Sequence, residues 1–230
     1  MSVFLDKARS LLPEFVARLT VRRDSGPIDS VAELTRFVST RAAFTAQKTL
    51  YGYLKTRMGT RYPSMFEDEV FVASIDIAKM QVFAACLADL AIFAVWQTRR
   101  DAPRPPESAV CKALALCCFQ RGLADNAEQA TGVQDFSAEA AQAGFERRLA
   151  LWDWARGPQG PDIFTESPPA LVRWAPIAPE LKKFDREIVE NSIRFKWREV
   201  RADLVRRLDA AAVAAEAAEG RLSARTAARR

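Results

Sequence analysis

Apolar residues recur every three to four positions through several long stretches of this chain, and proline marks the breaks between them. The twelve prolines fall at 13, 27, 63, 103–106, 158–161, 168–169 and 176–179. Helix interiors exclude proline, which lacks an N–H and clashes with the preceding turn. Proline-free stretches with helical spacing therefore predict long helices, and no alternating strand pattern or internal repeat competes. A first amphipathic helix is expected over 3–23, with Phe4, Ala8, Leu11, Leu12, Phe15, Val16 and Leu19 on one face. A second begins at Ser30, where Glu33 completes a capping box, and runs to Met58 with Gly59 as its stop. Ser64 and Glu67 form a second capping box that should open a third helix reaching Arg99. A fourth is expected over 107–121, ending at Gly122, and a fifth from Ser137 to about Gly157.

The stretch 157–179 holds six prolines but also Ile163, Phe164, Leu171, Val172 and Trp174. Linkers rarely carry so much apolar surface, so an ordered strap is expected, with a short helical turn begun at Ser167-Pro168. A last helix starts at Pro179 and continues to Ala218, about 60 Å at 1.5 Å per residue. It carries two apolar stripes. Leu181, Phe184, Ile188 and Phe195 form one; Val189, Ile193, Trp197, Val200, Leu204 and Leu208 form the other. Two stripes imply two packing partners, the domain body and a second copy of the chain. The fold class is thus all-α, a bundle of about six helices with a long C-terminal helix and a proline-rich strap. Residues 1–220 make a single domain and 221–230 a basic, disordered tail.

The third helix is apolar nearly all round from Val70 to Trp96, as the central helix of a bundle should be. Asp76, Lys79 and Asp89 lie within it and form a buried polar cluster. The structural reading pairs Asp76 with Lys79 and gives Asp89 an arginine from a neighbouring helix, Arg41 being the candidate. The alternative is a polar pocket in the bundle core.

Composition changes this picture mainly by exclusion. The chain has no histidine, so it builds no Ser-His-Asp triad, Cys-His pair or His-ligated metal site of its own. Acids at Glu67, Asp68, Glu69, Glu187 and Glu190 lack the histidines that a di-iron bundle site requires. No metal and no cofactor is expected. The Ser108–Lys112 and Ser192–Lys196 pairs stand at i,i+4 without oxyanion donors, and no nucleophile elbow or phosphate loop occurs. Four cysteines, Cys86, Cys111, Cys117 and Cys118, sit in apolar helical segments and read as buried thiols of a reducing compartment. Asp6, Lys7 and Arg9 interrupt any signal-peptide core, and the apolar run Val82–Trp96 is too short to span a bilayer. A cytoplasmic protein is expected, at most peripheral to the inner membrane.

The net charge of +5 is modest and demands no acidic partner. Basic and aromatic residues do interleave on the last helix, and Lys182, Lys183, Arg186, Arg194, Trp197 and Arg201 make a candidate interaction surface. Nucleic acid or an anionic membrane would suit such a surface. Acids spaced one turn away favour an ordinary solvated helix.

The stretches YGYLKTRMGTRYPSMFEDEVFVASIDIAKM (51–80) and IFTESPPALVRWAPIAPELKKFDREIVENSIRFKWR (163–198) resemble an uncharacterised bacterial all-helical family, some of whose members are labelled esterase. The resemblance extends over about two thirds of the chain and carries over no active-site residue. It implies, as an alternative, an esterase-type hydrolase with a histidine-free active site. The residues themselves favour a non-catalytic interaction or scaffold protein that self-associates, as a homodimer or with a protein partner, and that hydrolyses no simple ester.

Overall fold

A computed structural model describes residues 26–157 and 163–227, with side chains to 220. The fold is all-α: 80% helical, with eight α-helices and no strand among the described residues. They are α1 (Val31–Met58), α2 (Glu69–Asp101), α3 (Ser108–Asp125), α4 (Ala127–Ala130), α5 (Ala138–Leu151), α6 (Ser167–Trp174), α7 (Pro179–Arg207) and α8 (Ala210–Ala227). The helix expected over 3–23 lies outside the described residues.

The helix α2 is central, as its all-round apolar character predicts, and packs against α1, α3, α6 and α8. By length and composition it could also cross a membrane. Here its apolar side chains from Phe71 to Val95 are largely buried in the bundle, the property of a core helix. It begins differently from expectation. Ser64–Glu67 forms a separate 3-10 turn, and Asp68 caps α2 by accepting from the N–H groups of Val70 and Phe71. An aspartate one residue past the capping-box pattern does the same job with a shorter reach.

The start of α1 follows the sequence reading: Ser30 accepts from Glu33 N–H at 3.2 Å. The reciprocal half of the box is absent, because the Glu33 carboxylate turns to Arg36. Gly59 ends the helix with φ 55°, a conformation costly for any residue bearing a Cβ. Gly122 has another role. It lies inside α3 rather than ending it, because a Cβ there would come within 2.5 Å of a Leu87 methyl on α2. Glycine thus permits the close approach of the two helices. Ser137 caps α5 as expected, although that helix ends at Leu151, not near Gly157.

The single long C-terminal helix of the sequence reading is two helices. Its pattern and propensity run on unbroken, but Ile28 inserts into the backbone ladder. Ile28 N–H donates to Arg207 O, and Asp209 N–H donates to Ile28 O, both at 2.9 Å. Arg207 holds the same segment by donating to Gly26 O at 2.7 Å. Asp209 then caps the first turn of α8 by accepting from Ala212 N–H. The alanine-rich turns that follow pack on the bundle: Ala210, Val213 and Ala214 are buried. Glu216 reaches across to accept from Val31 N–H, satisfying an orphan donor at the start of α1. The backbone stays helical to Ala227, within the segment read as a tail.

A second polar contact ties α7 to α1. Asp185 accepts from Tyr53 Oη at 2.9 Å and from Nε and Nη2 of Arg57, which bind its two oxygens side-on. The Arg57 hydrogen bonds hold the Asp185 carboxyl below the usual carboxylate range, while burial and this contact raise the Tyr53 phenol. A carboxyl with a lowered folded pKa stabilises the fold above its unfolded pKa of about 4, and loses that contribution as pH falls through the folded value. From about pH 6 to about pH 3, the parent should therefore lose melting temperature more steeply than Asp185→Asn. Parallel profiles would show that Asp185 does not couple folding to acid.

Candidate functional site: a buried carboxylate clamp beside a basic cleft

The sequence grouped Asp76, Lys79 and Asp89, but the structure separates them. Asp76 and Lys79 do pair at i,i+3, at 2.8 Å, and Asp76 remains 42% exposed. Thirteen residues on, about 20 Å along the helix axis, Asp89 is fully buried. Its arginine is Arg148 of α5, at 2.8 Å, and not Arg41, which pairs with Asp203 of α7 at 2.9 Å. A neighbouring-helix arginine was the right kind of partner on the wrong helix.

Four donors converge on the Asp89 carboxylate. Oδ1 accepts from Arg148 and from Glu166 N–H; Oδ2 accepts from Ser167 N–H at 2.8 Å and from Ser167 Oγ at 2.6 Å. Asp89 therefore sits at the start of α6, where helix N–H groups are orphaned and the dipole favours an anion. The next residues, Pro168 and Pro169, have no N–H to leave unsatisfied. Burial raises the Asp89 carboxyl above its ordinary range, opposed by Arg148 and then by Ser167.

The network continues outward. Trp197 Nε1 of α7 donates to Ser167 Oγ at 2.9 Å, and Phe164 stacks on the Trp197 ring with centroids 4.6 Å apart. Arg148 also donates to Ile163 O and Thr165 Oγ1, each at 3.2 Å. The strap is thus ordered where described, with Ile163, Phe164 and Leu171 buried, and it is pinned from both sides. Ser167 was legible only as a helix start. Its bond to Asp89, 78 residues away, had no local signal.

Arg148 faces two ways. Its Nη2 serves Asp89, whereas Nη1 is buried without a hydrogen-bond partner among the described residues. The same side chain lines a cleft of about 750 Å³ between α2, α5, α6 and α7. Ala84, Ala88, Phe119 and Phe145, all buried, form its apolar depth. Arg173, Lys182, Lys183 and Arg186 stand at the mouth, and Glu166 is the one acid lining it among the described residues. Lys182 donates to Arg173 O at 2.7 Å, and partial burial lowers its pKa. Arg186 pairs with Glu190 at 3.1 Å.

Of the interaction surface expected on the last helix, Lys182, Lys183 and Arg186 gather at this cleft. Arg194 lies further along on an exposed turn, bonded to Glu190. Trp197 is not a surface residue at all: it is 1% exposed, in the core stripe. Arg201 spreads over the Phe93 and Phe164 rings, at 5.3 and 6.0 Å. Cys86, Cys111 and Cys118 are buried, and burial pushes their thiols up; Cys117, expected to be buried, is exposed. On the second Ser/Lys pair, Lys196 is held by Glu199 at 2.5 Å. Among the described residues no three His, Cys, Asp or Glu side chains group to hold a metal.

Breaking a buried ion pair from one side costs about 3–5 kcal/mol, whereas an exposed pair is worth about 0–1 kcal/mol. Asp89→Ala should lower the melting temperature by on the order of 10 °C, and Asp76→Ala should leave it nearly unchanged. Equal shifts in thermal denaturation would refute the separation of the two sites.

Comparison with protein-family models, curated proteins and solved structures gives no match. The geometry itself is therefore what bears on function.

Proposed function

We propose that this chain is a non-catalytic helical interaction protein that self-associates through the outward face of α7. The observation that carries this reading is the exposure of one of its two apolar stripes. Val189, Ile193, Trp197, Val200 and Leu204 are buried against the bundle. Phe184 is 77% exposed, Ile188 72% and Phe195 60%, with Leu181 and Val205 about half exposed.

The exposed residues keep the 3.5-residue spacing of a coiled-coil seam. Positions 181, 188, 195 and 202 alternate with 184, 191, 198 and 205 over four heptads. Asn191 and Arg198 interrupt the seam, and a polar residue at such a position fixes register at some cost in stability. The five large apolar side chains together expose on the order of 500–600 Å², approaching the roughly 800 Å² that each partner of a standard interface buries. A helix face with this repeat is self-complementary, which favours a second copy related by a two-fold axis.

Two features support the non-catalytic part. The Ser167 hydroxyl, fully buried, already donates to Asp89 and accepts from Trp197, leaving no path to a substrate. The three buried thiols are far from thiolate character. Their burial as free cysteines also fits a reducing, cytoplasmic setting.

Light scattering of the full chain at micromolar concentration should give a dimer. The doubly substituted Phe184→Glu, Ile188→Glu chain should be monomeric and still cooperatively folded, since both residues are exposed, with a melting temperature lower only by what dimerisation contributes. A monomeric parent would overturn the reading and hand the face to another occupant, such as the amphipathic segment 3–23. A variant that stays dimeric would overturn α7 as the interface.

A further inference from the structure

The basic cleft is a second feature that self-association leaves unused. Its depth is apolar and its mouth is cationic, and it is asymmetric in charge: five basic side chains line it against one acid. Two of the five are committed to acids, Arg148 to Asp89 and Arg186 to Glu190. Arg173 and Lys183 have no ion pair among the described residues, and both are exposed at the mouth. Arg148 Nη1 is a buried donor without an acceptor, on a side chain that lines the cleft. A buried polar group left unpaired costs free energy, and the Arg148 side chain, 16% exposed, still presents part of its guanidinium region to the cleft it lines.

The volume of about 750 Å³ falls within the range of small-molecule sites, which pair an apolar lining with a few placed polar groups. The space exists because the residues facing it are small. Ala84, Ala85 and Ala88 on α2 and Ala141 and Gly144 on α5 all line it. Gly144 needs no unusual backbone angle, and a Cβ there would meet only Arg147 Nη2, at 3.7 Å. Glycine inside a helix costs roughly 1 kcal/mol relative to alanine, so its presence at a cleft wall keeps room at the expense of helix stability.

We propose that this cleft binds an organic anion with an apolar body, its carboxylate or phosphate head held by Arg148, Arg173 and Lys183 and its body lying on the alanine-lined wall of α2. Guanidinium groups suit both heads, since they present paired donors in a fixed fork. A flat anionic surface would meet the exposed cations but leave the apolar depth empty, so a soluble molecule is the expected ligand rather than a membrane.

Isothermal titration calorimetry with decyl phosphate and with decanoate, using the full chain, tests this. At least one of the two should bind saturably, and clearly tighter than decanol or inorganic phosphate. Arg173→Glu and Lys183→Glu should each weaken that binding by about tenfold or more, the loss expected for a charge-assisted hydrogen bond. Gly144→Leu should weaken it by about tenfold or more while the protein stays folded, because the added side chain takes up space at the cleft wall and favours the helix. Arg148 is left intact in these variants because it also holds the core. Failure of both amphiphiles to bind, binding indifferent to Gly144→Leu, or association with phosphatidylglycerol vesicles alone would each overturn the proposal.

Discussion

A carboxylate removed entirely from water fixes how the strap and the helices beside it are assembled. Asp89 sits in the middle of the most apolar helix, where an isolated charge would be ruinous. Four donors from α5, the strap and α6 meet it there. Each donor needs Asp89 as much as Asp89 needs it: the N–H groups at the start of α6 have no carbonyl to face, and Arg148 is largely withdrawn from solvent. The interaction is therefore less a source of net stability than a device that fixes where the strap lies. Phe164 and Trp197 then stack in the position this imposes, and α7 packs on the result.

Such a device explains which parts of the structure were legible. Helices α1, α2, α3 and α5 were readable because their causes are local: proline limits, caps at Ser30 and Ser137, and apolar periodicity. The division of α7 into an inward and an outward stripe was readable for the same reason. The break at Leu208 was not, because Ile28 imposes it from 180 positions away and the local sequence prefers to continue. Asp209 before an alanine run was the one local hint, being a good helix-capping residue. Gly122 misled in the opposite sense. Its local meaning is a helix stop, but its use is contact with Leu87.

The candidate site divides along the same line. That Asp89 needed an arginine followed from burial alone; which arginine did not. Sequence does not decide between Arg41 and Arg148; the packing of α5 on α3 and of α7 on α1 and α6 does. Arg41 instead joins Asp203, which also draws Arg206 and Arg207, near the point where Ile28 enters. The cleft has no signature in the sequence because its wall is built largely from alanines and a glycine, residues whose contribution is the space they leave. The basic residues at its mouth were visible, but as part of a longer interleaved pattern in which Trp197 and Arg201 serve the core.

Arg148 links the core clamp to the cleft, and that placement has a thermodynamic consequence. One edge of its guanidinium neutralises Asp89, while the other is buried without an acceptor. The anion proposed for the cleft would add a second negative charge beside the guanidinium that pins the strap. A ligand bound only by the folded state stabilises it in proportion to the logarithm of its concentration over Kd. Occupancy of the cleft by the proposed anion would therefore bear on the Asp89 clamp, and through Ser167 and Trp197 on the buried side of α7.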